Sequence, residues 1–184
     1  MNGSPCIALL RGINVAGRNR IPMAELRALC ADIGWREVRT YIQSGNVVYA
    51  ADRGPDDHER ELTAAIARRF GLEVPVIVRT AEAWARYTAS NPYPKASRIE
   101  PNLVMLTVCG ASPAEDAEDH LLSRAADGER IARIGDALWI HYAGGSGRSK
   151  LSPAVLDRAV GSPVTTRNWR TVLKLAEMAG IETP

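Results

Sequence analysis

The chain of 184 residues has only three cysteines, one phenylalanine and three histidines, and aromatic residues make up 5% of it. It also lacks any dominant charge sign: 23 Lys+Arg stand against 21 Asp+Glu, a formal net charge of +2. Each shortage excludes a class. Few cysteines, odd in number and far apart (Cys6, Cys30, Cys109), rule out a disulfide scaffold, and their apolar surroundings fit buried free thiols in a reducing cytoplasm. The absence of a long apolar run excludes membrane spans, and Cys6–Leu10, stopped by Arg11, is too short for a signal peptide. Near-neutral charge means that composition does not announce a nucleic-acid binder. Catalytic signatures are missing too: there is no G-x-G-x-x-G, Walker spacing, G-x-S-x-G, H-E-x-x-H or C-x-x-C. No metal and no cofactor are expected.

What is present, 46% hydrophobic and 24% charged residues, is the make-up of an ordinary folded chain. Cys6–Leu10 reads as a buried strand, and Pro22 opens a helix whose apolar positions Met23, Leu26, Leu29, Cys30 and Ile33 end at Gly34. Alternation over Glu37–Gln43, the Ser44-Gly45 turn and the β-rich Asn46–Ala50 read as a hairpin. A second helix runs from Pro55 to Gly71, and Val74–Val78 is a strand that Pro75 places at a sheet edge. The order is βαββαβ, so the expected class is α+β, with ferredoxin-like antiparallel sheets.

After a helical stretch (Ala81–Ala89) and the Pro-rich Asn91–Pro94, the pattern recurs: strand Asn102–Val108, helix Pro113–Ala125, hairpin Glu129–Ile134/Ala137–Tyr142, helix from Ser152-Pro153 to Gly161. A helix over Arg167–Ala179 replaces the final strand in this reading. The organisation expected is therefore two similar ferredoxin-like (βαββαβ-type) subdomains, residues 1–80 and 102–184, joined by a connector over 81–101, with a C-terminal helix. No repeat is visible at the level of residues, so duplication rests on element order alone.

Charge is uneven. Residues 52–61 hold five acids and two arginines, and Glu115, Asp116, Glu118 and Asp119 have no base among them. Conversely, Arg11–Arg20 has three arginines and no acid, and 141–174 has six Lys/Arg against Asp157 alone. Four polar stretches follow strand ends or helix starts. Arg11, Gly12, Asn14 and Gly17 belong to a Gly/Asn-rich loop leading into a helix, where backbone N–H groups favour an anion. Ser149 and Lys150, after Gly144-Gly-Ser-Gly147, imitate a phosphate cradle. Arg167, Asn168 and Arg170 fall in the first turn of the expected last helix, capped by a threonine, where the dipole disfavours cations by a few tenths to about 1 kcal/mol each, so that an anion is expected there. Gln43, Ser44 and Asn46 surround a hairpin turn. Each has a plain structural alternative: a tight connection, a hairpin exit, an internal ion pair or a simple turn. His58 and His120 read as surface residues in acidic helices, and His141 is the one histidine placed to act as a general base or to be satisfied by packing.

The stretches Ile7–Gly17, Ile21–Arg27, Val38–Val48, Ser149–Ser152 and Thr165–Val172 together resemble the bacterial domain of unknown function 1697 family. The resemblance implies two similar ferredoxin-like subdomains and brings no activity, cofactor or catalytic residue. In a βαββαβ unit the loop 11–20 and the turn 43–46 both fall at the carboxyl ends of strands running the same way, so Arg11, Asn14, Gln43, Ser44 and Asn46 are expected on one rim. Three functions remain open. One is binding of a phosphate-bearing ligand, nucleic acid or nucleotide, by Arg11, Arg18, Arg20, Lys150, Arg167 and Arg170. The second is an enzyme acting on a small anionic metabolite at the subdomain cleft, with Arg11 and Arg167 as clamps. The third is a purely structural or protein-partner role for the Arg/Asn motifs. Tyr49 is the only aromatic offered by the strands where an RNA-recognition sheet stacks bases. Oligomeric state stays open.

Overall fold

The run Cys6–Leu10 forms the centre of the first sheet because it can be covered on both faces. In the computed structural model, which describes residues 3–126 and 128–183, β1 (Ser4–Leu10) pairs antiparallel with β3 (Asn46–Ala51) on one side and β4 (Val76–Thr80) on the other. β2 (Arg36–Tyr41) pairs only with β3, giving the order β2-β3-β1-β4. Helices α1 (Met23–Asp32) and α2 (Pro55–Phe70) lie between these strands in sequence and cover one face. Cys6, Ala8 and Leu10 pack there with Leu26, Leu29, Leu62 and Ile66, while Ile7, Leu9, Val48 and Ile77 are also buried. β4 is an edge strand, as Pro75 implied, and Gly71 closes α2 in the left-handed conformation.

The second sheet repeats the plan. β5 (Val104–Cys109), β6 (Arg130–Ile134), β7 (Ala137–His141) and β8 (Val164–Asn168) are all antiparallel in the order β6-β7-β5-β8. α5 (Ala117–Leu122) and α6 (Pro153–Val160) cover one face, and the Ser152 hydroxyl accepts from the Val155 N–H at the start of α6. The protein is thus α+β: two four-stranded antiparallel sheets with interleaved helices. It divides into one unit made of residues up to Arg86 with those from Leu175 onward, and another made of Tyr87–Lys174.

Three expectations need correction. The fourth strand of the second unit is present: Val164–Asn168 pairs with β5 along its length, and the last helix, α7, starts only at Trp169 and ends at Met178. Val-Thr-Thr-Arg-Asn looks like a polar cap in isolation, and only its non-local partner makes it a strand. The helix expected over Pro113–Ala125 is limited to Ala117–Leu122. Between α3 (Ala81–Ala89) and β5 the Pro-rich segment contains a further short helix, α4 (Pro94–Ile99), with Pro94 in its first turn. Among the described residues no helix is long and apolar enough to cross a membrane.

Candidate functional site

The rim of the first unit is built from the loop after β1 and the turn between β2 and β3. β1 and β2 run in the same direction with β3 between them, so both connections leave the same end of the sheet. The loop continues the sheet's bonding for two residues: the Leu10 N–H donates to the Gly45 carbonyl (2.8 Å) and the Arg11 N–H to Pro75 (3.0 Å). It then folds on itself. Asn14 N–H donates to Asn19 O (3.1 Å), Arg18 N–H to Val15 O (2.9 Å), and the Asn19 amide to Gly12 O (3.1 Å). Ala16 (φ 47°) and Gly17 (φ 77°) are both left-handed, the pattern of a primed two-residue turn.

Asn14 holds this miniature hairpin to the rest. Its side-chain oxygen accepts from Ile21 N–H (2.9 Å), and its amide donates to Ile21 O (3.0 Å) and to Gln43 O (2.8 Å). A short side chain that tolerates positive φ and carries both donors and acceptors is what the position needs, and φ here is 55°. Asn46, fully buried, donates to Tyr41 O and to the Ser44 hydroxyl, each at 3.0 Å. The rim residues Asn14, Gln43, Ser44 and Asn46 therefore do come together, and the two asparagines are employed in holding backbone. Arg18 and Arg20 are exposed on the frame so formed, Gln43's side chain is exposed, and Arg11 is half-buried.

The central strands β1 and β3 offer no stacking platform. Tyr49 points into the core, where its ring stacks on Trp35 with centroids 3.8 Å apart. Ile7, Leu9 and Val48 on the opposite face are buried as well.

In the second unit the sequence-derived candidates find partners within the protein. Ser149 donates to the buried Glu129 carboxylate at 2.5 Å and accepts from Leu151 N–H (3.1 Å), so the protein's own anion stands where a phosphate cradle was expected. Lys150 is exposed. Arg167 is not in a helix but on β8, opposite Leu106 and only 8% exposed. Its guanidinium donates to Thr165 Oγ1 (2.7 Å) and Thr166 O (2.9 Å), and burial pushes it down to about 10. Asn168 ends β8, and its side chain, rather than a threonine, accepts from Thr171 N–H (3.0 Å) to cap α7.

His141, at the end of β7, has both nitrogens engaged. The Arg130 guanidinium lies 3.0 Å from Nδ1, and Nε2 lies 2.6 Å from Glu100 Oε1. Because arginine can only donate, Nδ1 is the acceptor and Nε2–H donates to the carboxylate. That is satisfied packing, and it leaves no ring nitrogen for a substrate.

His58 corrects another expectation: it is 1% exposed, with its ring edge-on to Trp35 and Tyr49. Its place four residues before Leu62 on the apolar stripe of α2 was the signal. Nε2 lies 3.5 Å from Asp52 and Nδ1 3.9 Å from Glu61, yet among the described residues neither nitrogen, nor the Tyr49 hydroxyl, has a hydrogen-bond partner. Burial, then the nearby Arg53, lowers its pKa, while Asp52, Glu61 and Asp57 act the other way. A histidine held below its ordinary value of about 6.5 contributes stability that is complete above that pH and is lost as pH falls below it. The urea midpoint should accordingly drop between about pH 7 and about pH 5, and His58→Phe should flatten the drop; equal slopes would contradict this account.

All three cysteines are free and buried, and burial raises Cys6 to about 11 and Cys30 to about 12. Among the described residues no group of three or more His, Cys, Asp or Glu could hold a metal ion.

A family model described as "Protein of unknown function (DUF1697)" matches residues 4–139. A solved structure, that of a conserved bacterial protein from Streptococcus pneumoniae, superposes with a TM-score of 0.72 at 20% identity, covering 96% of this chain and 98% of that one. At that identity the likeness concerns the fold. No curated protein matches the sequence.

Proposed function

Since this chain belongs to the family described as Protein of unknown function (DUF1697), whose description assigns no activity, we propose a function from the site itself: binding of a phosphate-bearing ligand, nucleic acid or nucleotide, at the Arg11–Arg20 loop. The observation that carries it is the pairing of exposed Arg18 and Arg20 with a frame held by Asn14, in a stretch of ten residues with three arginines and no acid. The held backbone spares the loop itself the cost of ordering on binding, leaving only the arginine side chains to be fixed. The buried faces of β1 and β3 argue against base stacking on those strands, so the binding mode is backbone recognition, with affinity that depends on salt. A reducing, cytoplasmic setting accords with three buried free thiols.

The alternative of an enzyme on a small anionic metabolite is weakened by the engagement of both His141 nitrogens. A structural role is favoured for the second unit's motifs, because Ser149 is held by Glu129, Arg167 is buried and Asn168 is a cap. The test is fluorescence anisotropy with labelled single- and double-stranded nucleic acid and with a labelled nucleotide at low salt. Micromolar binding that weakens with added salt is expected. Arg18→Ala/Arg20→Ala should weaken it and reduce the log–log salt slope for duplex by roughly 2, about 0.9 for each phosphate that an arginine no longer neutralises. No binding at micromolar protein, or an unchanged slope in the double variant, overturns the reading.

A further inference from the structure

The helical layer of the second unit contains a cavity of about 100 Å³ between α5 and α6, lined by His120, Leu121, Arg124, Val155, Arg158 and Ala159. Its apolar floor is part of the core: Leu121 is fully buried, and Val155 and Ala159 pack against the same cluster. Among the described residues its polar lining is all basic, two guanidinia and an imidazole, with no carboxylate.

The neighbouring acids have other work. Glu118 accepts from Arg133 N–H (2.7 Å), and Asp157 accepts from Val164 N–H (3.0 Å). Asp116 stands 4.0 Å from His120 Nδ1. Among the described residues neither Arg124 nor Arg158 has an ion-pair partner. Like charges gathered around one small space repel one another, and an oxyanion between them removes that repulsion while accepting charge-assisted hydrogen bonds from both forks. A space of that volume admits a phosphoryl group.

We propose that this cavity between α5 and α6 is a binding site for a single phosphoryl group, held by Arg124 and Arg158 with His120 as a further donor. The group arrives either as free phosphate or as the end of a phosphate monoester whose remainder stays in solvent. The inference does not rest on the Arg11–Arg20 reading, since it concerns other residues and another ligand footprint.

The test follows the thermal melt of the full chain against inorganic phosphate and, separately, glycerol 3-phosphate, with potassium chloride matched for ionic strength. A saturable rise with phosphate but not with chloride is expected, accompanied by movement of the His120 imidazole resonances. A tenfold lower half-saturation for glycerol 3-phosphate makes the monoester the source; equal values make free phosphate sufficient. Arg124→Gln/Arg158→Gln should abolish the rise while leaving the ligand-free melt in place, because both side chains are exposed. Should that pair fail to fold, His120→Leu, which removes the imidazole donor, is expected to raise the half-saturation severalfold. Arg18→Ala/Arg20→Ala should retain the full response, which separates failure here from failure of the loop reading. No saturable response to either compound, or a response that survives removal of both arginines, overturns the proposal.

Discussion

Gly45→Ala should lower the stability of the protein by about 3 kcal/mol, from two independent causes. Gly45 sits at φ 76°, where a side chain costs roughly 1–2 kcal/mol. In addition, an added Cβ would stand 2.7 Å from Leu10 Cβ and 2.9 Å from Ile13 Cδ1. Those atoms belong to the end of β1 and the start of the basic loop, both fully buried and unable to give way without moving the rim. Overpacking of that kind typically costs about 1–3 kcal/mol. Gly17→Ala is the matched control: its φ is 77° and nothing lies within 4 Å of the added Cβ, so backbone strain acts alone. Urea unfolding of the two variants measures the difference, and equal losses would falsify the claim that the turn is packed against the loop. The Gly45 variant should also bind less nucleic acid than its residual folded fraction implies, since Leu10 N–H and Gly45 O fix the loop's first residue.

Arg167→Ala should cost about 3 kcal/mol without any ligand present. The side chain lies on the face of its sheet opposite α5 and α6, in register with Leu106, which is itself in register with Trp139. Truncation removes the packing of its methylene stem, at about 0.8 kcal/mol for each CH₂, and leaves a cavity and unmatched Thr165 and Thr166 oxygens. Arg167→Met, which retains an apolar stem and removes a charge held in a dry place, should recover roughly half of the loss. Chemical denaturation of both variants checks this. An alanine variant as stable as the parent would return Arg167 to the role of a clamp for an external anion.

These residues also show what could be read from sequence. Local signals were sufficient where a single element decides its own ends: Pro22 before α1, Gly71 after α2, and Ser152-Pro153 and Gly161 around α6. They failed at β8, five residues whose strand character comes from β5 some sixty positions earlier. That failure carried over to the site, because placing Arg167 in a helix suggested an anion at a helix start, whereas a strand position makes it a core residue. The rim was legible from topology, since same-direction strands bring their carboxyl ends together. Its wiring was not: the bond from Asn14 to Gln43 spans 29 positions and depends on one side-chain rotamer. His58 looked solvated because its neighbours in sequence are acidic, while its neighbours in space are Trp35 and Tyr49.

The shared strand order of the two sheets makes the loops after β1 and β5 counterparts, the same joint in two editions of one plan. The first edition, Arg11–Arg20, carries three arginines; the second, between β5 and α5, carries Glu115 and Asp116 and no base. The second joint offers a polyanion no cation, so the expected stoichiometry for a polyanion that binds the first is one per chain, despite the doubled architecture.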